Sequence, residues 1–129
     1  MAPKSLRRGI AGVALSIVAG SVCAHTQYLL RDELLCDAGQ QLCLRGWLIH
    51  DPHNNHIELS ARVQKSGVPG TMTITLIGET PGKHRVSTSL TLEVRGDYSE
   101  IVSAKIMPQW PFETQWRIDG LHFEPANEE

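Results

Sequence analysis

The chain has no excess of positive charge, no apolar run long enough to cross a bilayer and no closely paired redox cysteines. Each absence closes a class of function. Its 129 residues hold 12 Lys and Arg against 14 Asp and Glu. Lys4, Arg7 and Arg8 fall within the first 24 residues, which contain no acidic residue. Nine basic residues therefore face fourteen acidic ones from position 25 onward, a formal charge near −5. A nucleic-acid surface leaves a basic patch or stripe, and an anionic membrane surface attracts clustered Lys and Arg, so neither partner is expected. The longest apolar run spans about 15 residues, whereas a helical membrane span needs roughly 20. The three cysteines, Cys23, Cys36 and Cys43, contain no CxxC spacing. There is no nucleophile elbow, no glycine-rich phosphate loop and no pairing of carboxylates along the sequence. An enzyme is not expected. No internal repeat or low-complexity linker is present, and the length suits one domain.

What is present begins with an export signal over positions 1–24. Lys4, Arg7 and Arg8 form a positive start, Gly9 to Gly20 a short apolar stretch, and Val22-Cys23-Ala24 a small-residue cleavage site. Cleavage is expected before His25, which places the mature chain in the periplasm or outside the cell with no membrane span. An uncleaved anchor is the alternative; lipidation of Cys23 would need a small residue where Val22 stands. Cys36 and Cys43 remain, and an even count in an exported chain points to a disulfide. Closing that loop of about eight residues is worth roughly 2–3 kcal/mol. A domain of this size buries a small core, so a covalent staple helps.

The segment 25–35, HTQYLLRDELL, lacks strand alternation. Leu29, Leu30, Leu34 and Leu35 can line one side of a short helix, or the segment can run extended and dock on a sheet edge. Beyond it, six stretches alternate apolar and polar residues, at 42–50, 57–64, 71–78, 85–95, 98–107 and 114–124, separated by Gly, Pro, Asn and Asp turns. Adjacent Ile101 and Val102 leave the register of the fifth open, and Asp119-Gly120 reads as a turn or bulge. The expected fold is an all-β, small antiparallel sandwich of about six to seven strands over 36–125. The immunoglobulin-like type comes first and an open barrel second. An acidic tail, 126–129, follows.

Three candidate sites emerge. The turn His50-Asp51-Pro52-His53-Asn54-Asn55-His56 holds three of the six histidines. Neutral imidazole ligates copper or zinc well, so His50, His53 and His56, with Asp51 as an oxygen donor, form a candidate metal site; solvated loop histidines are the plain alternative. The aromatic group Trp110, Phe112 and Trp116, with Trp47, can grip a partner or stack on a ligand, or it can close the open end of the core. Third, cleavage before His25 leaves an N-terminal amine beside an imidazole. That pair resembles the N-terminal histidine of periplasmic copper-binding β-sandwich proteins and of copper monooxygenases. The resemblance implies a copper ion and further ligands, for which Asp119 and His122 are the candidates.

The expected function is that of a non-enzymatic, exported interaction module acting on another envelope protein. A periplasmic copper- or zinc-binding protein is the alternative.

Overall fold

The computed structural model describes residues 25–65 and 67–126. The segment assigned to the export signal and most of the acidic tail (127–129) lie outside the described residues. Seven strands follow in chain order: β1 Gln27–Cys36, β2 Cys43–Asp51, β3 His56–Lys65, β4 Gly70–Glu79, β5 Arg85–Val94, β6 Ile101–Ile106 and β7 Gln115–Pro125. All pairings are antiparallel, in a four-stranded sheet ordered β1-β2-β3-β6 and a three-stranded sheet ordered β5-β4-β7. Among the described residues no helix is long and apolar enough to cross a membrane.

Period-two patterning builds the core. Along β3, buried Ile57, Leu59, Ala61 and Val63 alternate with outward Glu58, Ser60 and Arg62. Along β4, Met72, Ile74 and Leu76 are fully buried, while Thr71, Thr73 and Thr75 stay half-buried on the opposite face. The branched Cβ of Thr packs along such a pleated surface. Inward residues of both sheets form one cluster that includes Leu44, Leu48, Leu90 and Phe123. The open register of β6 resolves to Val102 inside, 3% exposed, and Ile101 outside at 64%. On β7 the partner of Thr75 is Gly120 and that of Leu76 is Ile118, so Asp119 is the extra residue of a bulge.

Of the two readings of 25–35, the helical one is corrected and the extended segment docked on a sheet edge is what forms. Gln27–Cys36 is a full edge strand paired along β2. Two register shifts interrupt it, between Tyr28 and Leu30 and between Arg31 and Glu33, and Asp32 takes a positive φ of 51°. Each shift inserts one residue and resets which face the next side chain takes. The leucine pairs Leu29-Leu30 and Leu34-Leu35 thereby lose the period of two and imitate helical spacing. The same bulges blunt an otherwise exposed edge against pairing with other chains.

Cys36 and Cys43 are Cα partners at the end of the β1–β2 ladder and are joined as a disulfide, with their Cα atoms 4.0 Å apart. The enclosed turn has its own cap. The Asp37 carboxylate is buried and accepts from Leu42 N–H at 2.9 Å, and the Asp37 N–H donates to the Leu42 carbonyl at 3.1 Å. Replacing both cysteines by serine should therefore leave a folded protein. Denaturant unfolding should give about 2–3 kcal/mol less stability, because the turn keeps its hydrogen bonds while the unfolded chain gains loop entropy. A loss under about 1 kcal/mol would remove the staple from the account.

Candidate functional site

The β2–β3 turn is built from its own polar side chains. The Asp51 carboxylate accepts from His53 N–H at 3.0 Å and from Asn54 Nδ2 at 3.1 Å. These two bonds, the Asn54 one foremost, hold its carboxyl below the ordinary carboxylate range. Asn55 adopts φ 54°, a left-handed conformation that Asn tolerates better than most residues. That backbone turns the Asn55 side chain away from the tip and toward the carbonyls of Pro108 and Trp110.

His50 is fully buried. Its Nδ1 lies 3.3 Å from Gln27 Nε2 and its Nε2 lies 2.8 Å from Asn55 Oδ1. The partners decide the proton. Asn55 Nδ2 donates to the carbonyls of Pro108 at 3.3 Å and Trp110 at 3.0 Å, so the amide oxygen faces the ring and His50 Nε2 carries the hydrogen. The Gln27 side-chain oxygen accepts from Trp116 N–H at 3.0 Å, and its Nε2 donates to the Thr114 carbonyl at 3.0 Å. Gln27 Nε2 thus also donates to His50 Nδ1. Every member of the chain Thr114–Gln27–His50–Asn55–Trp110 has one consistent role, the condition under which a buried polar network rigidifies a fold. The Gln27 amide bonds β7 much as a peptide unit of a ladder would, and so ties the edge of one sheet to the other.

This node fixes the loop that carries the aromatics. Asn55 pins the loop by two of its carbonyls, and Thr114 N–H donates to the Pro111 carbonyl at 3.0 Å. Pro108 and Thr114 are buried, while Met107 is 69%, Trp110 37% and Phe112 42% exposed. A backbone held this firmly presents large apolar side chains with little ordering cost left for a binding event. Trp116 parts from the group: it is 5% exposed and belongs to the core. Its Nε1 and the Thr114 Oγ1 are buried without a hydrogen-bond partner.

The remaining candidates scatter. His53 is exposed at the turn tip and His56 is half-buried opposite Asp51. Both ring nitrogens of His50 are engaged by amides. His25 is exposed two residues before Gln27, whose side chain meets Thr114, just ahead of β7, and Trp116 within it. His122 stands six residues past Trp116, about 20 Å along the strand, and lies 3.4 Å from Glu124 Oε1. Asp119 sits exposed at the bulge. Among the described residues no group of three or more His, Cys, Asp or Glu is placed to hold a metal ion. Trp47 lies on the outer face of the four-stranded sheet, edge-on to Tyr28 at 6.0 Å between ring centres.

Sequence reasoning missed Gln27, whose partners lie 87 and 89 residues away and leave no local signal. It named Asn55 only as a turn residue. Compared with protein-family models, with curated proteins and with solved structures, the chain matches none.

Proposed function

We propose that this chain is an exported, non-enzymatic interaction module of the periplasm or extracellular space. It docks another envelope protein through the loop bearing Met107, Trp110 and Phe112. The observation that carries this reading is the contrast within the loop: its backbone is clamped by Asn55 while its largest apolar side chains face solvent. Trp is among the side chains that dominate interface energies, and rigid aromatics do so at low entropic cost. The Cys36–Cys43 bond suits an oxidising compartment, in keeping with a signal over residues 1–24. We read the two sheets as a sandwich. It shares the strand number of the immunoglobulin-like type, but here β3 stays in the sheet of β1 and β2, whereas the third strand of that type crosses to the other sheet.

The test is affinity capture from envelope extract of the producing organism, wild type beside the double variant Trp110→Ala/Phe112→Ala. Circular dichroism and melting should match for the two proteins, since both residues lie outside the core. The partner recovered with the wild type should fall at least about tenfold with the variant, as expected for interface anchors. Equal recovery by a folded variant would overturn the loop as the docking element.

A further inference from the structure

The outer face of the four-stranded sheet carries a second, different surface. Its rows follow from the register. Arg45 on β2 is the Cα partner of Arg62 on β3, which pairs with Ile101 on β6. In the next row Trp47 lies beside Ser60 and Ser103. Trp47 is 43% and Ile101 64% exposed. These side chains, with Ser60 and Asp32, line a shallow depression of about 360 Å³.

Like charges directly opposed across an antiparallel pair are destabilising, and here no carboxylate offsets them. Among the described residues the ion pair of an arginine or lysine is Arg95–Asp97, and the further contact between a basic side chain and a carboxylate is His122–Glu124; neither lies on this face. Arg45 Nη1 donates to the Asp32 carbonyl at 2.9 Å and Arg62 Nη1 to the Ser99 carbonyl at 3.4 Å. Those carbonyls orient the two guanidiniums without neutralising them, and most donors of each fork remain for a ligand. Asp32 is among the residues lining the depression, and its carboxylate makes no ion pair with Arg45. On the same face Arg31 stands 4.3 Å over the Tyr28 ring. A third cation and a second aromatic therefore extend the surface along β1. In a chain whose charge is acidic overall, this face carries Arg31, Arg45, Arg62 and Lys105 against the outward Glu58, whose Cα partner is Lys105, with Tyr28 and Trp47 among them.

We propose that this face binds an acidic peptide segment of a protein partner. Its Asp or Glu carboxylates sit between Arg45 and Arg62, and its apolar side chains lie on Trp47 and Ile101. A carboxylate fits the guanidinium fork in bidentate geometry and converts the Arg45–Arg62 repulsion into attraction for the ligand. The shallow, open surface, lined from β1, β2, β3 and β6, suits an extended peptide. The inference rests on the reading of the chain as an interaction module, but not on the aromatic loop.

The experiment titrates the oxidised, isotope-labelled protein with the peptide acetyl-Leu-Glu-Phe-Glu-Leu-amide, its Gln-for-Glu counterpart and phosphatidylglycerol vesicles. The acidic peptide should shift the side-chain N–H signals of Arg45, Arg62 and Trp47 saturably. Its dissociation constant should rise about tenfold or more in Arg62→Glu, and equally for the Gln peptide. Arg62→Glu should melt no lower than wild type, because the substitution sets opposite charges across the strand pair. Trp110→Ala/Phe112→Ala should bind the peptide as wild type does, so a failure of the loop and a failure of this face are read separately. The proposal is overturned by equal binding of the Gln peptide or by the absence of saturable shifts. Shifts centred instead on Lys83, Arg85 and Arg117, which line a separate depression of about 390 Å³, would also overturn it. So would Arg62-dependent vesicle binding without a peptide response.

Discussion

His50→Ala should cost about 3–5 kcal/mol of unfolding free energy, from a cavity and two orphaned hydrogen-bonding groups together. The ring is fully buried and both nitrogens are bonded, at 3.3 Å to Gln27 and 2.8 Å to Asn55. Removing it leaves a cavity, which for large-to-small changes costs in the kcal/mol range. It also leaves an amide N–H of Gln27 and the side-chain oxygen of Asn55, both on half-buried residues, without partners, at up to about 1–3 kcal/mol for each such group. His50→Leu separates the two contributions, since it restores most of the volume and none of the bonds. It should recover the cavity part only and stay about 2 kcal/mol or more below wild type. Urea unfolding of the oxidised protein measures both, and a near-native His50→Leu would mean that the polar node is incidental to packing. Amide exchange offers a second readout. The N–H of Thr114 and the backbone around Trp110 should lose protection in either variant before the global unfolding limit, because Asn55 then loses the partner that orients it. In the wild type, nitrogen spectra of the imidazole should report the hydrogen on Nε2.

The parts of this fold that were legible in the sequence are those in which one local rule decides. β3 and β4 alternate cleanly, so Ile57, Leu59, Val63, Met72, Ile74 and Leu76 could be assigned to the core with their strands. The Cys36–Cys43 bond followed from parity and spacing. β1 was legible only as one of two alternatives, an extended segment on a sheet edge, because the bulges near Leu29 and Asp32 shift the face of each leucine pair and hide the strand period. Only pairing with Ile49, Trp47 and Arg45 reveals the strand. The histidine turn was legible as a turn but not as a node. His50 differs from His53 and His56 through a glutamine 23 residues earlier and a loop more than 50 residues later. The aromatic group divided for the same reason. Trp116 falls on the inward side of β7, while Trp110 and Phe112 stand on a loop whose course is set by Asn55. The Arg45–Arg62 pair was invisible until register made those two residues partners.

Gly46→Ala should cost about 3 kcal/mol, at or above the upper end of what an added methyl does to an ordinary core. Gly46 has an unremarkable φ, so its role is room and not backbone freedom. It pairs with Ala61 across the β2–β3 ladder. A Cβ built there would lie 2.5 Å from the Ala61 Cα and 2.7 Å from its Cβ, and closer still to the Ser60 carbonyl oxygen. Overpacking typically costs 1–3 kcal/mol when side chains can shift. Here the obstacles are backbone atoms and a methyl, so the strands themselves must part. Shortening the partner tests this. The double variant Gly46→Ala/Ala61→Gly removes the 2.7 Å contact but not the other two, and should remain within about 1 kcal/mol of the single variant in a double-mutant cycle. Full recovery would mean that the clash is side-chain packing after all. The same spacing bears on the outer face, because Arg45 and Trp47 flank Gly46 and are held opposite Arg62 and Ser60 by this close approach. A Gly46→Ala chain that still folds should therefore bind the acidic peptide several-fold more weakly, although the added methyl points toward Ala61 and not toward the ligand.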